Sequence, residues 1–200
     1  MPKTLDYYFT PVSPWTYLGH DRFTHIAAKH GAAVRVKPVD YGRIFPVSGG
    51  LPLKSRAPQR QAYRLVELAR FRDHLGIPLN VEPRHFPVDP TPAAVAIIAA
   101  DAAFGAEAAM RLAGGCLRAV WAEERDIADT AEIAAIALEQ GVDAQRLMRA
   151  EAAAAARAKF DAYTEEAIAR GVFGAPSYVL DGEIFWGQDR LEFLDRALGR

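Results

Sequence analysis

The chain is poor in cysteine. Among its 200 residues only Cys116 is a cysteine. No intrachain disulfide can form, and no Cys-x-x-Cys dithiol exists. Cys116 lies in MRLAGGCLRAVW, a stretch of helical apolar spacing, where a lone thiol reads as a small core residue. Reactive thiols need an electropositive, accessible setting that this segment does not offer. His-Glu-x-x-His is absent too. His20, His25 and His30 stand five apart, so they spiral round a helix instead of sharing a face. His74 and His85 stand alone, and no metal site is expected.

An excess of either charge is also missing. The 24 Lys and Arg residues face 25 Asp and Glu, for a formal net charge of −1. Phosphate-backbone binding draws on clustered cations, so a nucleic-acid partner is not expected. No apolar run approaches a membrane span, and the start, MPKTLDYYF, has no apolar core of signal-peptide length. The expectation is a soluble cytoplasmic protein with no membrane partner. Half of the residues are hydrophobic, enough for a substantial core at this length.

Leu5 to Phe9 is apolar and aromatic enough for a strand. Helical spacing follows from Pro14 to His30, with Gly31 as a stop. Ala33 to Val39 alternates and carries β-branched residues, which predicts a second strand. Strand, crossover helix, strand implies parallel pairing. RIFPVSGGLPLKSRAP reads as a long loop. Helices are expected over Gln59–Leu75, Pro92–Phe104, Ala106–Glu124, Thr130–Gln140 and Asp143–Arg170, with an irregular proline-rich stretch before Pro92. Thr130 is a candidate N-cap and Gly141 a candidate stop. Near the end, SYVL and EIFW flank Asp181-Gly182, a strong hairpin signal. A final helix opens near Gln188, Asp189 and Arg190, where Asp189 and Glu192 fit a capping box. The order is β-α-β, a helical block, then β-β-α. This divides the chain into an α/β unit of residues 1–45 and 171–200 and a helical insertion of 46–170.

Ser13 stands at the first strand-to-helix joint, in VSPWTYLG. Serine is a preferred N-cap and proline suits the first helical turn, so the joint needs no function to explain it.

The same residues carry a resemblance. VSPWTYLG resembles the [LV]SPYS[WY]LG segment of kappa-class glutathione transferases and of 2-hydroxychromene-2-carboxylate isomerases, within the DsbA-like group. GVFGAPSYVLDGEIFWGQDRLEFL resembles that family's C-terminal segment. APQRQAYRLVELARFRDHLGIP and VWAEERDI also look like family stretches, so the likeness covers nearly the whole chain. It implies a thioredoxin-like fold with an all-helical insertion. Ser13-Pro14-Trp15-Thr16 replaces the redox Cys-x-x-Cys, which excludes dithiol chemistry there.

The resemblance further implies that glutathione brings the thiol and that Ser13 hydrogen-bonds its sulfur as the catalytic residue. Ala175 and Pro176 would form a cis peptide that pairs with the tripeptide. Gln188 and Asp189 would hold its γ-glutamyl end, and Arg60 matches a basic position near the ligand. Gln188 replaces a residue that is often serine in kappa relatives. Relatives also carry an Asn and a Pro-Pro pair after the second strand, which VSGGLPLKSRAP lacks. The implied activity is glutathione-dependent isomerisation of 2-hydroxychromene-2-carboxylate to trans-o-hydroxybenzylidenepyruvate, or of a related aromatic intermediate. The alternatives are a kappa-like transferase that leaves glutathione on an electrophile, and a non-catalytic thioredoxin-fold module. Family members are often dimers, so a homodimer is an open expectation.

Overall fold

The computed structural model describes residues 3–200, so the first two residues of the expected 1–45 unit lie outside it. The sheet has four strands in the order β2-β1-β3-β4. They are β1 (Thr4–Phe9), β2 (Ala33–Pro38), β3 (Ser177–Leu180) and β4 (Glu183–Trp186). β1 and β2 pair in parallel, with Tyr7 opposite Val36. Such pairing requires a crossover, which α1 (Pro14–Lys29) supplies. β3 returns antiparallel to β1, with Tyr7 opposite Tyr178, and β4 folds back on β3. Asp181 and Gly182 make the hairpin turn with φ of 50° and 88°. Positive φ at both central residues is what a type I′ turn demands.

The period-two pleat divides the sheet into two faces. On one face Tyr7, Phe9 and Tyr178 stack, with Tyr7 and Tyr178 centroids 5.4 Å apart. Phe23 of α1 packs on Tyr178 at 4.5 Å. Leu191, Leu194 and Leu198 of α9 (Leu191–Leu198) close this layer. The same core runs on into α4 (Thr91–Phe104) and α5 (Ala106–Trp121). Cys116 is fully buried there, and burial pushes its thiol up to about 12. On the other face Tyr8, Val39 and Val179 pack against α2 (Tyr41–Ser48) and α8 (Ala150–Ala169). Lys37 is buried on that face but ion-paired, with Nζ 2.9 Å from Asp6 and 2.8 Å from Glu166.

The remaining elements are a 3₁₀ turn at Leu53–Ser55 and the helices α3 (Pro58–Leu75), α6 (Thr130–Glu139) and α7 (Ala144–Leu147). Several expectations need correction. The supposed loop of residues 43–58 opens inside α2, because Asp40 caps that helix and Tyr41 and Ile44 have a core to enter. Residue 46 therefore lies within a helix. Asp129, not Thr130, caps α6, accepting from Ala131 N–H at 2.8 Å. Asp143–Arg170 is broken into α7 and α8, because Arg149 is extended with ψ 135°. The Asp189–Glu192 capping box does not form. Gln188–Arg190 makes a 3₁₀ turn, and α9 starts one residue later without a side-chain cap.

Candidate active site

The C-terminal end of β1 and the N-terminal end of β3 lie at one edge of the sheet, because these strands are antiparallel neighbours. β1 ends at Phe9, and a turn closed by Ser13 N–H to Thr10 C=O (3.1 Å) leads into α1. Ser13 Oγ accepts the Thr16 N–H at 3.2 Å, and Pro14 fills the first helical position. Acceptance of that N–H leaves the Ser13 hydroxyl hydrogen free for another acceptor. Ser13 is only 8% exposed. Thr16 Oγ1 beside it is buried without a hydrogen-bond partner among the described residues.

Ala175-Pro176 is cis, as the sequence resemblance implied. Pro176 C=O accepts Gly187 N–H at 2.9 Å, which ties the start of β3 to the residue before the 188–190 turn. Gly174 C=O accepts from Tyr41 Oη (2.8 Å) and Ser177 Oγ (2.7 Å), which fixes the backbone on the other side. Ala175 itself makes no backbone hydrogen bond among the described residues. A short segment with free N–H and C=O groups beside a sheet edge can pair with an extended peptide.

The Gln188–Arg190 turn packs directly on α1. A Cβ on Gly19 would lie 2.8 Å from Gln188 Cβ, so only glycine lets the two backbones approach this closely. Gln188 is buried, and Arg22 donates to both its backbone and side-chain oxygens. Its side chain is thus a strut to α1. The N–H groups of Gln188 and Asp189 make no hydrogen bond with any described residue. Asp189 is exposed and pairs with Arg190.

α3 lies against the start of α1, where Trp15 meets Phe71 edge-on at 5.9 Å. Glu67 of α3 has its carboxyl pushed up by burial and then by the negative charge of Asp189. Arg60 is exposed in the first turn of α3 and has no ion pair among the described residues. Ser13, Ala175, Pro176, Gln188 and Asp189 therefore gather on one edge, and Arg60 stands on the helix that flanks it. Arg22 and Glu67 went unnoticed in the sequence; each is a charge at an ordinary helical position, and only the fold aims it at the 188–190 turn.

A depression of about 450 Å³ at the opposite edge of the sheet involves Asp6, Arg35, Arg170 and Asp181. Asp6 there is engaged by two arginines, with Arg170 3.0 Å and Arg35 3.6 Å away. It contains no Ser13-like donor at a helix start.

Residues 4–199 match the DSBA-like thioredoxin domain family. The 2-hydroxychromene-2-carboxylate isomerase of Pseudomonas putida is 31% identical over 199 residues, covering 98% of this chain and 94% of that protein. The chain belongs to this family. The isomerase of the same name from Sphingobium xenophagum is 28% identical, with 99% of both chains covered. A solved 2-hydroxychromene-2-carboxylate isomerase superposes with a TM-score of 0.80 at 29% identity, over 98% of this chain and 95% of that one. The fold is thus the DsbA-like thioredoxin fold, and the enzyme type is that of an isomerase. Among the described residues no helix is long and apolar enough to cross a membrane.

Proposed function

We propose that this enzyme uses glutathione to interconvert 2-hydroxychromene-2-carboxylate and trans-o-hydroxybenzylidenepyruvate, with Ser13 as the catalytic residue. The observation that carries the reading is the Ser13 hydroxyl, held at the start of a sixteen-residue helix beside a cis-proline strand. Ser13 Oγ already accepts one N–H, so its own proton is available to an anionic acceptor. The helix start adds partial positive charge. A thiol titrates near ~8.5, and lowering that by about two units takes roughly 2.7 kcal/mol. A hydrogen bond to a charged acceptor contributes about 1.5–3 kcal/mol, and a helix end about 0.3–1 kcal/mol. The requirement falls inside the range that the two can supply together.

The residues present fit glutathione. Ala175 offers to an extended tripeptide an N–H and C=O that make no backbone hydrogen bond among the described residues. The free N–H groups of Gln188 and Asp189 suit a carboxylate, and the Asp189 side chain suits an ammonium group. Arg60 adds positive charge on the flanking helix. When bound, glutathione supplies a thiol that adds reversibly to a conjugated double bond and leaves again, so that the bond can rotate. Nothing is oxidised or reduced in the cycle, which agrees with a site that lacks cysteine.

The test is a titration of glutathione followed by the thiolate absorbance, together with direct assay of the two aromatic acids. A thiolate band and interconversion are expected. Stable glutathione conjugates without interconversion would instead make the protein a kappa-like transferase. No binding of glutathione would remove the basis of the reading.

A further inference from the structure

Arg64 is the exception among the buried cations of this chain. Lys37 is buried too but holds two carboxylates. Arg64 is 8% exposed and forms no ion pair among the described residues. Its Nη2 is buried and has no hydrogen-bond partner among them. The charge that acts on it is another cation, Arg56. Burial and then Arg56 pull the guanidinium down to about 10. An unpaired buried charge is costly, and Arg carries five donors and no acceptor. The sequence places this charge in an apolar helical stripe. Arg64, Leu68, Phe71 and Leu75 recur at i, i+4, i+7 and i+11, and the last three pack on the core.

The surroundings are aromatic. The guanidinium lies over Phe86 at 5.1 Å and over Trp121 at 5.6 Å, and those two rings are 4.9 Å apart. Trp121 Nε1 is a second buried donor without a partner among the described residues. Two unsatisfied donors therefore stand together against aromatic walls, on the face of α3 that meets Trp15. A planar guanidinium fork matches a carboxylate in bidentate fashion, and aromatic faces suit a flat conjugated ring.

Resting on the isomerase reading above, we propose that Arg64, with Trp121 beside it, forms the subsite that binds the carboxylate of the aromatic acid substrate. Arg56 supports it with positive charge, and Ser13 serves the separate glutathione subsite.

Benzoate is the probe, with benzyl alcohol as its uncharged counterpart, and Trp121 emission is the signal. Benzoate should shift that emission in the parent protein while benzyl alcohol does not, and the shift should vanish in Trp121→Phe. Arg64→Gln should weaken benzoate binding at least tenfold. It should raise KM for the aromatic acid tenfold or more, with kcat changed less. Arg64→Lys keeps the charge without the fork, so its losses should be intermediate; it also serves if Arg64→Gln does not fold. Glutathione affinity should stay within twofold in both variants.

Equal binding of benzoate and benzyl alcohol would overturn the proposal, as would benzoate binding indifferent to Arg64. A variant that loses glutathione but keeps benzoate would overturn it too, since Arg64 would then hold a glutathione carboxylate. If the parent protein binds benzoate through Arg64 but never binds glutathione, the carboxylate subsite stands and the glutathione-dependent reading fails.

Discussion

Ser13 has a structural duty and a proposed chemical one, and a pair of substitutions can separate them. Ser13→Ala removes the cap on Thr16 N–H and should cost about 1 kcal/mol of stability. It should also abolish the thiolate band. Ser13→Asp caps as well as serine but brings a negative charge against the sulfur. It should therefore keep the melting temperature and still lose the band, and a band surviving in Ser13→Asp would mean that Ser13 does not contact the thiolate. In the sequence Ser13 was visible only as a cap, and the resemblance supplied its chemistry. Arg60 stood out through its motif, whereas Arg64, four residues on, is the buried one. The sign was present in the apolar stripe it interrupts, but a helical period does not tell which charge has a partner.

The 188–190 turn is the element on which the proposed glutathione binding depends, and its geometry rests on Gly187. That residue has φ of 99°, and a Cβ there would lie 2.6 Å from Asp189 Oδ1. Gly187→Ala should move the turn away from cis-Pro176 and weaken glutathione at least tenfold in a calorimetric titration. The stability loss should stay near the ~1–3 kcal/mol of a single strained residue. Unchanged affinity would detach the turn from the ligand. The hairpin before it was legible because Asp-Gly demands one turn type. The turn itself is not legible in the same way. Asp189 and Glu192 have the spacing of a capping box, but Gly187 N–H is drawn to Pro176 C=O and the chain enters as a 3₁₀ turn. α2 is hidden in the sequence for a similar reason. Its Gly and Pro content suggests a loop, while its helix depends on a tertiary surface for Tyr41 and Ile44.

On the scale of the whole molecule, we propose that the split into residues 1–45 with 171–200 and the insertion 46–170 is one of chain order, not of independent folding. One buried cluster joins the strands to α1, α4, α5 and α6, so a single cooperative unfolding transition is expected. His20 sits where these parts meet. Met110 C=O of α5 can only accept, so Nε2 (3.0 Å) is the protonated nitrogen. Nδ1 then accepts from Tyr7 Oη of β1 at 3.1 Å. The neutral ring is satisfied on both sides, and burial holds its pKa below the ordinary 6.5, against the raising effect of Met110. Below that ordinary value the unfolded chain takes up a proton that the native ring refuses, so the unfolded state binds more protons and stability rises with pH. The contribution is full above about 6.5 and is lost as pH falls toward the depressed native value. The transition should therefore shift to lower temperature from pH 7 to pH 5.5 while remaining single. His20→Gln should be less stable at pH 7 and show a flatter pH dependence over that range. Two separate transitions would show that the insertion folds by itself, and an unaltered pH dependence in His20→Gln would show that His20 does not couple the two parts.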